Sequence, residues 1–126
     1  GERAVLAHEP RFPDNMYSTL AGFVEPGDDV VHAVRRETFE EVGLEVHDVE
    51  FLNSQPWPFP HNLMLGCLAF TEPADLKPDA NELDDARWFS RQELQNMHDG
   101  DHPEGLWFPG SQSLAYALIM RFLNST

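Results

Sequence analysis

The rhythm of apolar and polar positions changes several times along the chain, and each change marks an element. Short apolar or alternating runs at 3–8 (RAVLAH), 18–27 (STLAGFVEPG), 49–55 (VEFLNSQ), 63–70 (LMLGCLAF) and 86–90 (ARWFS) predict strands. Between Asp29 and Val42 the spacing becomes helical, with Val30, Val34, Thr38 and Val42 recurring every four residues and Val31 beside them. Asp28 or Asp29 is the expected N-cap of that helix, and Gly43 its stop. Ser90 and Glu93 have the spacing of a capping box and predict a second helix over RQELQNM. A third helix is expected over 111–123, apolar at Leu114, Ala117, Leu118 and Phe122. Polar, proline- or glycine-bearing stretches at 11–17, 71–83 and 98–110 read as loops. Strands mixed with two or three helices, without repeats, give an α/β or α+β domain.

One stretch fits neither rhythm. Residues 54–60 read SQPWPFP, with three prolines and two aromatics between two apolar runs. Proline cannot donate to a strand ladder, so this segment should interrupt both strands. A proline-stiffened loop loses little entropy on ordering and can hold Trp57 and Phe59 ready to stack on a flat ring.

The chain has 126 residues, 41% of them hydrophobic, which suits one domain with its own core. Its formal net charge is −14, from 22 acidic and 8 basic residues. A surface so acidic disfavours non-specific binding to nucleic acid or anionic membrane, but clustered carboxylates can recruit divalent cations. Cys67 is the only cysteine, so no intrachain disulfide or cysteine-based zinc site is expected, and Cys67 itself reads as a small buried residue. No apolar run is long enough for a membrane span and no signal peptide is evident. A reducing, cytoplasmic setting is therefore expected. The chain begins at Gly1 rather than Met, so upstream sequence is expected in the parent protein.

The acids of the first helix carry the chemistry. With Val30 at zero on a helical wheel, Glu41 falls at about 20°, Glu37 at about 340° and Glu40 at about 280°. Three carboxylates thus crowd one strip at the edge of the apolar stripe. Like charges at this spacing destabilise a helix by roughly 0.2–0.5 kcal/mol per pair, and partial burial adds to that cost. A divalent cation reverses the sign. The alternative is a solvated acidic face paired with Arg35 and Arg36.

Residues 22–44, GFVEPGDDVVHAVRRETFEEVGL, resemble the Nudix box, with Gly22, Arg36-Glu37, Glu40-Glu41 and Gly43-Leu44 at its diagnostic positions. Asp28 stands where the family has glutamate, and Thr38 where it has an aliphatic residue. The resemblance implies an α/β/α sandwich around a mixed β-sheet, spanning residues 1–126 as one domain. It also implies hydrolysis of a nucleoside diphosphate linked to another group. Mg²⁺ or Mn²⁺ would be held by Glu37, Glu41, the carbonyl of Ala21 and Glu82. Glu40 or Glu41 would take the proton of the attacking water or complete the metal shell.

SQPWPFP just beyond the box resembles the signature of the NADH pyrophosphatase subfamily, with Asn62 in place of its final serine. FPGSQSLAYALI and NELDDARWFS are similar to further segments of that subfamily, and on them rest the roles of Ala115 and Glu82. By this resemblance the substrate-binding residues are Phe23, Gln55, Pro56, Trp57, Pro58, Phe59, Pro60, His61, Asn62 and Ala115. The implied substrates are NADH and NAD⁺, split to reduced or oxidised nicotinamide mononucleotide and AMP. Nucleic acid enters only as NAD-capped RNA, and the protein is expected to be a homodimer. The N-terminal region and four-cysteine zinc ribbon usual in the subfamily are absent from this chain, so no structural zinc is expected here. Hydrolysis of ADP-ribose or another nucleoside diphosphate derivative, and a non-catalytic dinucleotide-binding module, are the alternatives.

Overall fold

A computed structural model of the chain describes residues 2–20, 29–51 and 67–125. The elements run β1 (Arg3–His8), α1 (Val30–Val42), β2 (Asp48–Phe51), β3 (Cys67–Phe70), β4 (Asp85–Ser90), α2 (Arg91–Asp99) and α3 (Leu114–Asn124). The predicted strands at 49–55 and 63–70 are seen only as β2 and β3, because residues 52–66 lie outside the described ones. From the run at 18–27, the described part contributes a single bridge, Ser18 to Ala7.

β1 and β4 pair antiparallel from Arg3 opposite Ser90 to His8 opposite Asp85. β2 and β3 form a second antiparallel pair. An isolated parallel bridge joins Met16 to Trp107, so both pairing senses occur. Side chains alternate across a strand, and here the alternation separates two cores. Ala4, Leu6 and Phe89 belong to a cluster with Leu94 and Met97 of α2 and Ile119 of α3. Val5, Ala7, Ala86 and Trp88 belong to the other cluster, with Val42 of α1, Leu44 and Leu83. Helices α2 and α3 therefore cover one face of the β1–β4 pair and α1 covers the other. This is the helix–sheet–helix layering expected from the sequence.

The helix ends follow their caps. The Asp29 side chain accepts from the Val31 amide at 2.8 Å, and Gly43 adopts φ 75°, the left-handed conformation that suits a residue without Cβ. The capping box of Ser90 and Glu93 is present in both directions. The last helix starts at Leu114, three positions later than the expected span of 111–123. The Ser113 hydroxyl accepts from the Tyr116 amide and ends the preceding turn. Its buried positions are Ala115, Leu118 and Ile119, so the inward face is rotated from the expected set that included Leu114 and Ala117.

Opposite α1, a polar network ties the strands to their connections. The Tyr17 hydroxyl donates to Asp85 at 2.5 Å, Arg87 Nε donates to the same carboxylate at 2.7 Å, and Arg87 also reaches Glu104 at 3.1 Å. His98 stacks on Phe108, and His102 Nδ1 accepts from the Glu104 amide, so both histidines serve the packing of the 98–110 segment.

Candidate active site

Glu41 is buried in the last turn of α1, at 5% exposure. The wheel put it at the edge of the stripe; it lies deeper, while Val30, Val34 and Thr38 are only half-buried. Burial pushes its carboxyl up, and the charges of Glu37, Glu82, Glu9 and Glu40 push it further, to about 7. The negative end of the helix dipole is a further unfavourable neighbour for an acid in this turn. Glu37, one turn back, is half-buried and touches Arg36 at 3.5 Å, whereas Glu40 and Glu82 are exposed. Of the two arginines in the alternative reading, Arg36 does pair with Glu37, while Arg35 donates to the His47 carbonyl at 3.1 Å.

Glu82 is far from α1 in sequence, and the 71–83 segment brings it there. This segment lies over the same face as α1, with Leu76 and Leu83 in the cluster of Val42 and the Trp88 indole donating to the Ala74 carbonyl at 2.9 Å. Its backbone takes up the carbonyls that a helix leaves unpaired at its C-terminus. The Lys77 amide donates to Val42 and the Asp79 amide to Glu41, both at 2.8 Å. Gly43 makes this approach feasible, since a Cβ there would stand 3.0 Å from the Lys77 Cβ.

Glu9 is the site residue that sequence reasoning missed. It follows β1, pairs with Arg11 at 2.9 Å and adds its charge to those acting on Glu41. No motif marks it; only the pairing of β1 with β4 brings it to the carboxylates. Glu9, Glu37, Glu40, Glu41 and Glu82 all line one broad cleft. Ala115 is buried and lines the same cleft, but the cleft extends across more than one layer, so a shared wall does not bring Ala115 to the carboxylates. Ala21, Phe23, Asp28 and the whole loop segment Gln55, Pro56, Trp57, Pro58, Phe59, Pro60, His61 and Asn62 lie outside the described residues.

Among the described residues, no three His, Cys, Asp or Glu side chains close into a ready-made coordination group. Like-charged carboxylates repel, and the neighbours of Glu41 act on it through charge. The donor set is nonetheless that of a hard divalent ion: several carboxylate oxygens and no sulfur or imidazole. A cation would relieve both the repulsion and the burial cost of Glu41. Cys67 is half-buried, with its thiol pushed up by burial, as suits a packing residue.

The layering, the box helix and the acid cluster define a Nudix domain. A NUDIX domain family model matches residues 1–109, and the chain belongs to that family. Hydrolases of this family generally use a divalent ion such as Mg²⁺ or Mn²⁺. The chain is 41% identical over 124 residues to the NAD-capped RNA hydrolase NUDT12 of Macaca fascicularis, covering 98% of this chain and 27% of the relative. It is 42% identical over 123 residues to the NAD-capped RNA hydrolase NudC of Stutzerimonas stutzeri, covering 98% of this chain and 41% of the relative. The chain thus spans between about a quarter and two fifths of the length of these curated relatives. A solved MutT structure, from work on the Aliivibrio salmonicida and Vibrio cholerae proteins, superposes with a TM-score of 0.66 at 18% identity, over 95% of this chain and 87% of that one. This likeness supports the fold. No helix among the described residues is long and apolar enough to cross a membrane.

Proposed function

We propose that this domain hydrolyses the pyrophosphate bond of NAD-type dinucleotides. The products from NADH or NAD⁺ are the nicotinamide mononucleotide and AMP, and the same bond is cut in the 5′ NAD cap of RNA. The observation that carries the reading is Glu41, buried among four further acids at the end of the box helix. The names of the curated relatives and the SQPWPFP segment support the dinucleotide as substrate. The net charge of −14 argues that a capped RNA is recognised at its 5′ end rather than along its length.

Glu37, Glu41 and Glu82 would hold Mg²⁺ or Mn²⁺, with the Ala21 carbonyl as a further oxygen. Such an ion, when bound, neutralises the pyrophosphate and acidifies a water. Glu40, exposed one step round the helix, or Glu41 would accept the proton of the attacking water. Trp57 and Phe59, with Phe23, would stack on the nicotinamide or adenine ring, and Gln55, His61 and Asn62 would supply polar contacts. Ala115 would line the substrate side of α3. Residues 1–126 act in this reading as a single catalytic domain. We further propose homodimeric assembly, on the family resemblance, and a cytoplasmic location, on the single cysteine.

The test is AMP release from NADH, NAD⁺, NAD-capped RNA and ADP-ribose with Mg²⁺ or Mn²⁺, for the parent and for Glu41→Gln. The parent should turn over the NAD-type substrates, and Glu41→Gln should be slower by about 10²–10⁴-fold. Faster cleavage of ADP-ribose than of NADH would refute the dinucleotide specificity. A folded chain that binds NADH and releases no AMP with either ion would refute hydrolysis itself.

A further inference from the structure

We propose that Asp79 is a positioning residue, which fixes Glu82 in register with Glu41. The inference rests on the reading of Glu41 and Glu82 as a shared divalent-ion site. Glu41 and Glu82 sit on different segments, and neither is fixed to the other by a side-chain bond. Asp79 supplies the connection with three of its polar groups. Its amide donates to the Glu41 carbonyl at 2.8 Å. Its carbonyl accepts from the Glu82 amide at 3.0 Å and the Leu83 amide at 2.8 Å. Its carboxylate Oδ1 accepts from the Asn81 amide at 3.0 Å. One residue therefore grips the backbone under Glu41 and folds the backbone under Glu82 into a turn.

The side chain decides the shape of that turn. An acceptor three bonds beyond Cα can reach the amide two residues on, which is the Asx-turn geometry of Asp and Asn. Alanine has no acceptor, and glutamate carries its acceptor one methylene too far. The turn is anchored at both ends. Leu83 is buried at 6% against Val42 and Leu44, and the Lys77 amide is bonded to Val42. Between these anchors the direction of Glu82 depends on the Asp79 turn. The negative charge of Asp79 has no helpful role at the C-terminal end of α1, where the helix dipole disfavours anions. Geometry rather than charge is the reason for an Asx residue here.

The test is Mn²⁺ binding to the chain, measured by electron paramagnetic resonance, for Asp79→Ala, Asp79→Asn and Asp79→Glu, alone and combined with Glu82→Gln. Partners that orient metal ligands typically affect affinity by about 10–100-fold, and Asp79→Ala is expected to weaken Mn²⁺ by about tenfold. Asp79→Asn keeps the acceptor and should bind like the parent. Asp79→Glu keeps the charge and should behave like Asp79→Ala; it carries the same test if the alanine variant does not fold. In the Glu82→Gln background, Asp79→Ala should weaken binding no further. Parent-like affinity in a folded Asp79→Ala or Asp79→Glu chain would overturn the role of Asp79. So would an equal loss with and without Glu82, or a loss in Asp79→Asn spared in Asp79→Glu. A parent that binds no Mn²⁺ would overturn the metal site itself, and the role of Asp79 with it.

Discussion

Asp85 and Glu41 are two carboxylates served by opposite layers of the same sheet, and their surroundings push them in opposite directions. Burial pushes Asp85 up, but hydrogen bonds from Tyr17 and Arg87 and the Arg87 charge outweigh it and hold the carboxyl below the usual range. Burial also raises Glu41, and among the described residues the charges of Glu37, Glu82, Glu9 and Glu40 raise it further. The first arrangement is complete in itself. The second costs the protein stability until something positive arrives. An acid balanced by its neighbours serves the fold; an acid raised by a cluster of like charges marks a candidate ligand site.

Removing the charge of Glu41 should break this contrast most visibly. A carboxyl raised to about 7 in the folded chain stabilises fully below its unfolded value, and that contribution is lost as pH rises from 4.5 to about 7. At pH 8 with a chelator present, the folded protein bears the whole cost of the ionised group. Glu41→Gln should then be more stable than the parent by roughly 2 kcal/mol, a rise in Tm of about 10 °C. Near pH 4 the two should melt together, and added Mn²⁺ should raise the parent alone. Thermal melts at the two pH values check this, and a Glu41→Gln chain that is no more stable at pH 8 would mean the acid is already balanced.

The opposite outcome is expected on the other face. Asp85→Ala leaves the Tyr17 hydroxyl and the Arg87 guanidinium without their acceptor, and should cost roughly 1–2 kcal/mol, because the site is part-exposed and screened. Tyr17→Phe should cost about 1 kcal/mol. The pH profile separates the two partners. Asp85 is depressed, so its contribution is present above its unfolded value, near 3.8, and is lost in more acid solution. Tyr17, raised by burial and by Asp85 to about 12, contributes fully below pH 10 and loses that contribution as pH rises towards 12. Denaturant melts between pH 9 and about 11.5 should show an alkaline decline in the parent that Tyr17→Phe lacks.

The sequence made the local devices plain and the long-range ones obscure. Asp29, Gly43, Ser90 and Glu93 announce helix ends because capping acts over a few residues. The acid strip of α1 was visible for the same reason, since i,i+4 spacing is a local fact. How deep Glu41 lies was not visible: it depends on the 71–83 segment closing over the end of α1. The expected start of α3 is too early because its span includes Ser111, Gln112 and Ser113, whereas the Ser113 hydroxyl caps the helix. Glu9 had no signal at all. Its place follows from β1 pairing with β4, a contact between segments far apart in the chain.

Glu9 also offers the finest test of the contrast, because it belongs to both sides. It pairs with Arg11, as a structural acid would, yet its charge bears on Glu41. Arg11 is largely exposed, so water screens the pair and leaves part of the Glu9 charge uncompensated. Glu9→Gln should therefore stabilise the metal-free chain by roughly 0.5 kcal/mol at pH 8 and weaken Mn²⁺ binding by about twofold. Raising the salt concentration should shrink both effects, since screening acts on charges that meet through solvent. If Glu9→Gln instead destabilises the chain and leaves Mn²⁺ binding unchanged, its ion pair with Arg11 dominates. Glu9 would then belong with Asp85 among the acids that hold the fold.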